Sequence, residues 1–347
     1  MSQDFVTTLR LQLREAAERE ARRGRLRRAL PPPRTLALAG ALALALAVVV
    51  IAGGTFGGRD TTPTTQSALR VVARLQLADQ GGPMATGFGS AWLADPGSGR
   101  VLRVGADGGV IATIDIRGDL FDVNTGAGAV WALTDARLFR IDPASNRVTA
   151  SIVLPLPTRS NGGVTTSAGV MWVFNSSQLL RVNPRTNAID ERVSLERGGL
   201  AARGGANDEH AFYVLAGDGT LMTLDARTGA RVDVARPQLT GAPLVAAGGS
   251  VLVANGAGVA AVDWRSGRPR WRTNLGVSRL NYAAYGDGAI WVQGTPSSGR
   301  DQLWRLDPRT GRVTAALPLS DFGVTGMATF AGRLWIMSPA GTVTVIR

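Results

Sequence analysis

The 347-residue sequence has no cysteine, which at once removes disulfides, thiolate zinc sites, cysteine nucleophiles and a lipoprotein anchor. Lysine is missing too, so all 38 basic residues are arginine, a bias that suggests a GC-rich bacterial genome. The single histidine, His210, rules out a multi-histidine metal site and any histidine pair sharing acid and base duties. No Gly-x-Ser-x-Gly nucleophile elbow occurs. Aromatic residues make up only 6% of the chain, so aromatics recurring at a fixed spacing are informative.

The charge present is uneven. The formal net charge is +12, and residues 1–34 hold nine of the arginines with four acids, leaving 29 arginines and 22 acids for the rest. The densest positive charge is therefore an N-terminal tail, and a basic excess acts where it is concentrated. Next, Thr35–Gly53 reads TLALAGALALALAVVVIAG, 19 residues without a charge, which is about 28 Å of helix and enough to cross a bilayer. Arg19, Arg22, Arg23, Arg25, Arg27, Arg28 and Arg34 precede it, and only Arg59 follows before residue 70. That asymmetry predicts a single-pass cell-membrane protein with a cytoplasmic N-terminus and an extracytoplasmic remainder.

An uncleaved anchor fits better than a cleaved secretion signal, because the preceding region is long and no small-x-small site follows. Phe5, Leu9, Leu13, Ala17 and Ala21 are spaced by four, as in an amphipathic helix over residues 4–28. Its expected role is topogenic, at anionic membrane lipid, with a cytoplasmic partner of the tail as the alternative and nucleic acid the less favoured ligand. Residues 54–67, GTFGGRDTTPTTQS, read as a flexible linker.

The remaining chain repeats about every 40 residues. Seven short apolar runs follow a small turn: GSAWLA at Gly89, GAVWAL at Gly128, GVMWVF at Gly169, HAFYVL at His210, GSVLVA at Gly249, GAIWVQ at Gly288 and GRLWIM at Gly332. Their central residues are Trp92, Trp131, Trp172, Tyr213, Leu252, Trp291 and Trp335, separated by 39, 41, 41, 39, 39 and 44 residues. About ten residues later a second strand ends in hairpin chemistry, as in LFRIDPASN at Leu138, LLRVNPRTN at Leu179, LMTLDARTG at Leu221, VAAVDWRSG at Val259 and LWRLDPRTG at Leu303. The acid caps the turn, proline presets φ, and the closing glycine or asparagine tolerates positive φ. A third strand follows each turn, and a fourth, of small residues, precedes the next aromatic run.

Four short strands repeated seven times predict an all-β, seven-bladed propeller. The seventh unit stops at Arg347 two strands short, and the start of the domain supplies them: Arg70–Leu77 matches the third strands and Gly82–Thr86 the fourth. Closure by an N-terminal strand removes exposed sheet edges. The expected organisation is a basic tail over 1–34, a transmembrane helix over 35–53, a linker over 54–67 and the propeller over 68–347.

On the aromatic strand and the (L/V)-x-R-(I/V/L)-D-P-x-T-G hairpin, residues 70–347 resemble the YVTN, PQQ-like and streptogramin-lyase-like repeat families. The resemblance implies architecture more than activity. Streptogramin lyases are known for histidine chemistry with magnesium in the propeller centre, and that histidine complement is missing here. PQQ-dependent dehydrogenases use eight blades, so a count of seven argues against a quinone, and no cofactor or metal is expected.

The seven central residues are expected to pack between blades, and the glycine turns to be ordinary turns rather than dinucleotide fingerprints. Asp208, Glu209 and His210 read as a solvated turn. The loops into the innermost strands carry Arg117, Arg159, Arg197, Arg236 and Arg279, a candidate cationic funnel with only Asp79, Asp119 and Asp321 to offset it. The expected function is a noncatalytic, membrane-tethered recognition scaffold, with sensing possible only through partners, for a protein, a peptide or an anionic envelope glycan. The alternatives are a lyase or hydrolase using Asp119, Asp208 or Asp321, and a cell-envelope assembly scaffold.

Overall fold

The computed structural model describes residues 68–155, 162–175, 177–195, 204–216, 220–235, 243–247, 249–297, 299–320 and 323–347. The basic tail, the uncharged run and the linker lie outside them; among the described residues no helix is long and apolar enough to cross a membrane. All the regular elements described are β-strands, in seven antiparallel sheets of four strands each. The fold is a seven-bladed β-propeller. Blade one runs, inside to outside, through Met84–Gly87, Ser90–Asp95, Arg100–Val104 and Val110–Asp115.

Burial follows position in the blade. The second strands, such as Ser90–Asp95 and Ala129–Thr134, are buried along their whole length because adjacent blades cover both their faces. The outer strand Val110–Asp115 is mostly exposed. Each wall between blades is its own hydrophobic cluster: Trp92 packs with Val123, Val130 and Ile141 of blade two, and Trp131 with Val164, Met171 and Val182 of blade three. Three of the buried indole N–H groups find carbonyls, at Gly87 for Trp92 (3.1 Å), Gly126 for Trp131 (3.0 Å) and Ala226 for Trp172 (2.8 Å), while those of Trp291 and Trp335 have none among the described residues.

The hairpin turns follow their residue chemistry. Asp307 Oδ1 accepts the N–H groups of Arg309 (2.8 Å) and Thr310 (2.9 Å), and Gly311 closes the turn at φ 70°. Asp225 and Asn183 cap their turns in the same way, with Gly229 at φ 72° and Asn187 at φ 55°. Hydrogen bonding in the turn holds the carboxylates of Asp142, Asp225, Asp263 and Asp307 below their ordinary range, at Asp263 through Arg270 first. Glycine at position 311 also makes room: a Cβ there would run into the Trp271 ring of the preceding blade.

The arginine of the strand that leads into the capped hairpin reaches sideways. Arg103 lies over Trp92 at 5.1 Å and donates to Pro143 O (2.6 Å) and Asn146 Oδ1 (2.9 Å) of blade two. Arg181 likewise donates to Arg227 O at 3.1 Å in blade four. These are struts between blades.

Closure joins the two ends of the ring. Val71–Gln76 is the outer strand of blade seven, paired with Thr342–Ile346, and Arg70 and Arg347 exchange backbone hydrogen bonds of 3.0 Å. Met84–Gly87 then starts blade one as its inner strand. Each inner strand runs from a connecting segment to a tight inner turn, so the ring has two distinct faces. The inner turns and the Asp-capped hairpins share the turn face; the segments entering the inner strands share the connection face. Arg70 stands on the turn face, because Val71 pairs with Ile346 at the end of its strand.

Candidate functional site at the connection face

At the mouth of the channel on the connection face, Gln80–Pro83, Pro96, Asp119–Phe121 and Thr325 line an open cleft of about 490 Å³. Asp95, 4% exposed, organises one wall by accepting the N–H groups of Gln80 (3.0 Å) and Asp79 (3.2 Å) and the Ser98 hydroxyl (2.7 Å). Burial alone would raise its pKa, but these bonds hold it below the ordinary value. Phe121, half-buried, stands where the register shifts between Leu120 and Asp122.

Below the mouth, Asp122 joins two blades. Its oxygens accept the N–H groups of Val123 and, across the blade junction, Val164, each at 2.8 Å. The carboxyl is enclosed although the residue lines the channel, and burial pushes its pKa up to about 7 against the pull of those bonds. Tyr282 of blade six donates to Thr325 O at 2.7 Å; burial first, and then the Asp122 charge, pushes it up to about 12. Toward the turn face the inner strands are laced together: Thr125 donates to Thr86 O (2.7 Å), Thr166 to Thr125 O (2.8 Å) and Asn207 to Thr166 O (3.3 Å).

The candidate arginines are only partly placed. Arg117 is exposed in the segment entering blade two. Arg279 is exposed too, but it lies within the ten-residue inner strand Val277–Gly286, opposite Thr295, rather than in a loop. Arg159, Arg197 and Arg236 lie outside the described residues. The seven repeat positions Trp92, Trp131, Trp172, Tyr213, Leu252, Trp291 and Trp335 are buried in the blade walls.

The candidate carboxylates do not converge. Asp119 stands in the connection-face cleft, Asp208 in the inner turn of blade four on the opposite face, and Asp321 outside the described residues. An inner strand separates the ends on which Asp119 and Asp208 lie, so the two do not share a site. Asp208 Oδ1 accepts the N–H groups of His210 (2.8 Å) and Ala211 (3.0 Å), Oδ2 accepts the Tyr213 hydroxyl (2.8 Å), and its carbonyl accepts the Ser167 hydroxyl. Burial and that bond raise the Tyr213 pKa. Among the described residues no group of three or more histidine, cysteine, aspartate or glutamate side chains is placed to hold a metal.

Two polar residues escaped the sequence reading. Asp122 is the one acid in the middle of a described inner strand, and that was its signal. Gln293 is 0% exposed with neither amide atom partnered, at a position held by Ala94, Leu133, Phe174, Leu215, Ala254 and Met337 in the other blades.

No curated protein matches the chain significantly. Among solved structures, BamB from Moraxella catarrhalis superposes with a TM-score of 0.56 at 14% identity, over 81% of this chain and 98% of that one. A streptogramin B lyase gives 0.64 at 12% identity, covering 81% of this chain and 97% of that one. BBS1N in complex with ARL6DN gives 0.60 at 15%, covering 81% and 96%. At such identities these likenesses establish the shared propeller fold. The family model described as outer membrane protein assembly factor BamB matches residues 86–316, and the chain belongs to that family of PQQ-like repeat propellers.

Proposed function

We propose that this propeller is a noncatalytic binding scaffold that docks protein partners on its connection face and serves protein assembly in the cell envelope. The observation that carries the reading is the family match over residues 86–316, to a model described as an assembly factor. The site supports it. A wide cleft bordered by Phe121, Pro83 and Pro96, with exposed Arg117 beside it, offers apolar area and hydrogen-bonding edges rather than a closed reaction chamber. Asp122 has a near-neutral pKa, yet both its oxygens are committed to backbone N–H groups, which suits a clamp better than an acid or base.

Membrane tethering belongs to the same proposal. It rests on the uncharged run Thr35–Gly53 and its arginine asymmetry, and would put the ring on the extracytoplasmic side. Photo-crosslinking in intact cells tests the scaffold reading, with a benzophenone amino acid at Phe121, Arg117 or Arg279 and, as a control, at Val110, at the turn-face end of an outer strand. Crosslinks to an envelope membrane protein from the first three positions are expected. Crosslinking confined to Val110, or none at any position, would overturn it.

A further inference from the structure

The turn face carries an arc of arginines with no counterpart on the remaining blades. The third residue of the capped hairpin is Arg185 in blade three, Arg227 in blade four, Arg265 in blade five and Arg309 in blade six, and all four are exposed. Because consecutive blades present the same turn at the same edge, these guanidiniums recur once per blade along one rim. Where the hairpin of blade seven would be, Arg70 and Arg347 meet, both exposed, so the arc runs on through the closure.

Among the capped hairpins the charge is lopsided, although the inner turns of blades four and six place Asp208, Glu209 and Asp287 on the same face. Over the six residues from each cap, 183–188, 225–230, 263–268 and 307–312, there are six arginines and three aspartates, a net of +3. The equivalent turns of blades one and two, 104–109 and 142–147, hold one arginine and two aspartates, a net of −1. The hairpins of blades one and two together keep a single arginine, Arg147. The three aspartates in the arc are turned into their own hairpins by backbone N–H bonds. The ion pairs within the described residues, Arg100–Asp115, Arg181–Asp190 and Arg270–Asp263, use none of Arg185, Arg227, Arg265 and Arg309.

We infer that this arc is a docking surface for anionic phospholipid headgroups. Two independent observations select a membrane over another polyanion. The arginines lie along the rim of one face of the ring rather than in a groove, a geometry suited to an extended surface. The chain also enters the propeller at Arg70 on this same face, and the uncharged run ending at Gly53 lies only 17 residues upstream in sequence. With that run in a bilayer, the turn face is the one whose chain entrance is tied to the membrane through those 17 residues. Basic residues close to an anionic bilayer are attracted within roughly a Debye length, about 8 Å at physiological ionic strength.

The choice of face deepens the membrane-tethered reading and rests on it, so the experiment reads the two separately. The full chain is reconstituted in nanodiscs of phosphatidylcholine alone, or with phosphatidylglycerol at about a quarter of the lipid, a fraction set by the need for a surface potential. Hydrogen exchange is then followed in residues 183–188, 225–231, 263–270 and 307–312. Protection confined to the anionic discs, abolished by high salt and reduced roughly five-fold per arginine by R185Q, R227Q, R265Q and R309Q together, is expected. Residues 115–120 on the connection face should exchange equally in both discs.

Equal exchange of the hairpins in the two lipids, or protection of residues 115–120 instead, overturns the inference. So does protection in the anionic discs that a competing RNA or heparin reproduces without lipid. Carbonate extraction of the same discs reports on the anchor alone. Protein that is extracted, yet still protected by phosphatidylglycerol, would sink the tether and keep the arc.

Discussion

The two faces of this ring are built differently. On the turn face, hairpins of one chemistry recur, with an aspartate or asparagine capping two N–H groups and a glycine or asparagine at positive φ. On the connection face the segments vary in length and composition, and blade six lifts a ten-residue inner strand paired with an eight-residue partner, where blade one uses four and six. Repetition is retained where backbone geometry demands it, at tight turns, and relaxed where segments only have to span a gap. Variation on a rigid frame is how a propeller acquires a particular partner.

The frame breaks most completely at the closure. Deleting residues 68–78 removes the outer strand of blade seven and exposes Thr342–Ile346 as an edge. The expected outcome is loss of the cooperative unfolding transition in calorimetry; a truncated protein that melts like the parent would refute strand closure. Next comes a blade wall. Trp131→Ala empties a fully buried site and orphans Gly126 O, for an expected loss of about 3–5 kcal/mol in denaturant unfolding. The same change at the exposed Tyr285 should cost far less, and equal losses would mean that the walls do not carry the stability.

Asp122 sharpens the comparison at the channel. Its folded pKa is about 7 against an ordinary 3.8. Between those values the folded state holds the proton and the unfolded state has released it, so stability falls as pH rises through the window and levels off above it. Asp122→Asn should remove that slope, gaining roughly 1–2 kcal/mol on the parent between about pH 5 and about pH 8. Identical pH profiles of urea midpoints would show that the carboxyl is solvated. Smallest is the strut: Arg103→Ala removes bonds to blade two and a ring contact, for an expected loss of about 1 kcal/mol, with Arg103→Lys recovering only part because a point charge cannot match the fork. Full recovery by lysine would reduce the strut to simple charge.

Much of the frame was legible because its causes are local. The seven aromatic or apolar strand centres and the capped hairpins follow from nearest-neighbour backbone chemistry, and the match of Arg70–Leu77 to the third strands announced the closure that Val71–Ile346 pairing completes. The candidate site was less legible. Asp119 and Asp208 look alike in composition, yet one inner strand places them on opposite faces. Arg279 was assigned to a loop because nothing local announces that the inner strand of blade six begins as early as Val277.

By itself the sequence determined the blade count, the strand order, the turn chemistry and the segregation of charge into an N-terminal tail. Each of these depends on periodicity and on residues adjacent in the chain. Only the tertiary structure decided that the repeat arginines are struts over tryptophan, that Asp122 clamps blade two to blade three, and that Arg185, Arg227, Arg265 and Arg309 share a rim with the chain entrance. The physical reason is the same in each case. The contacts between blades join residues about 40 positions apart or more, and closing the ring is what brings one blade's side chains against the backbone of the next.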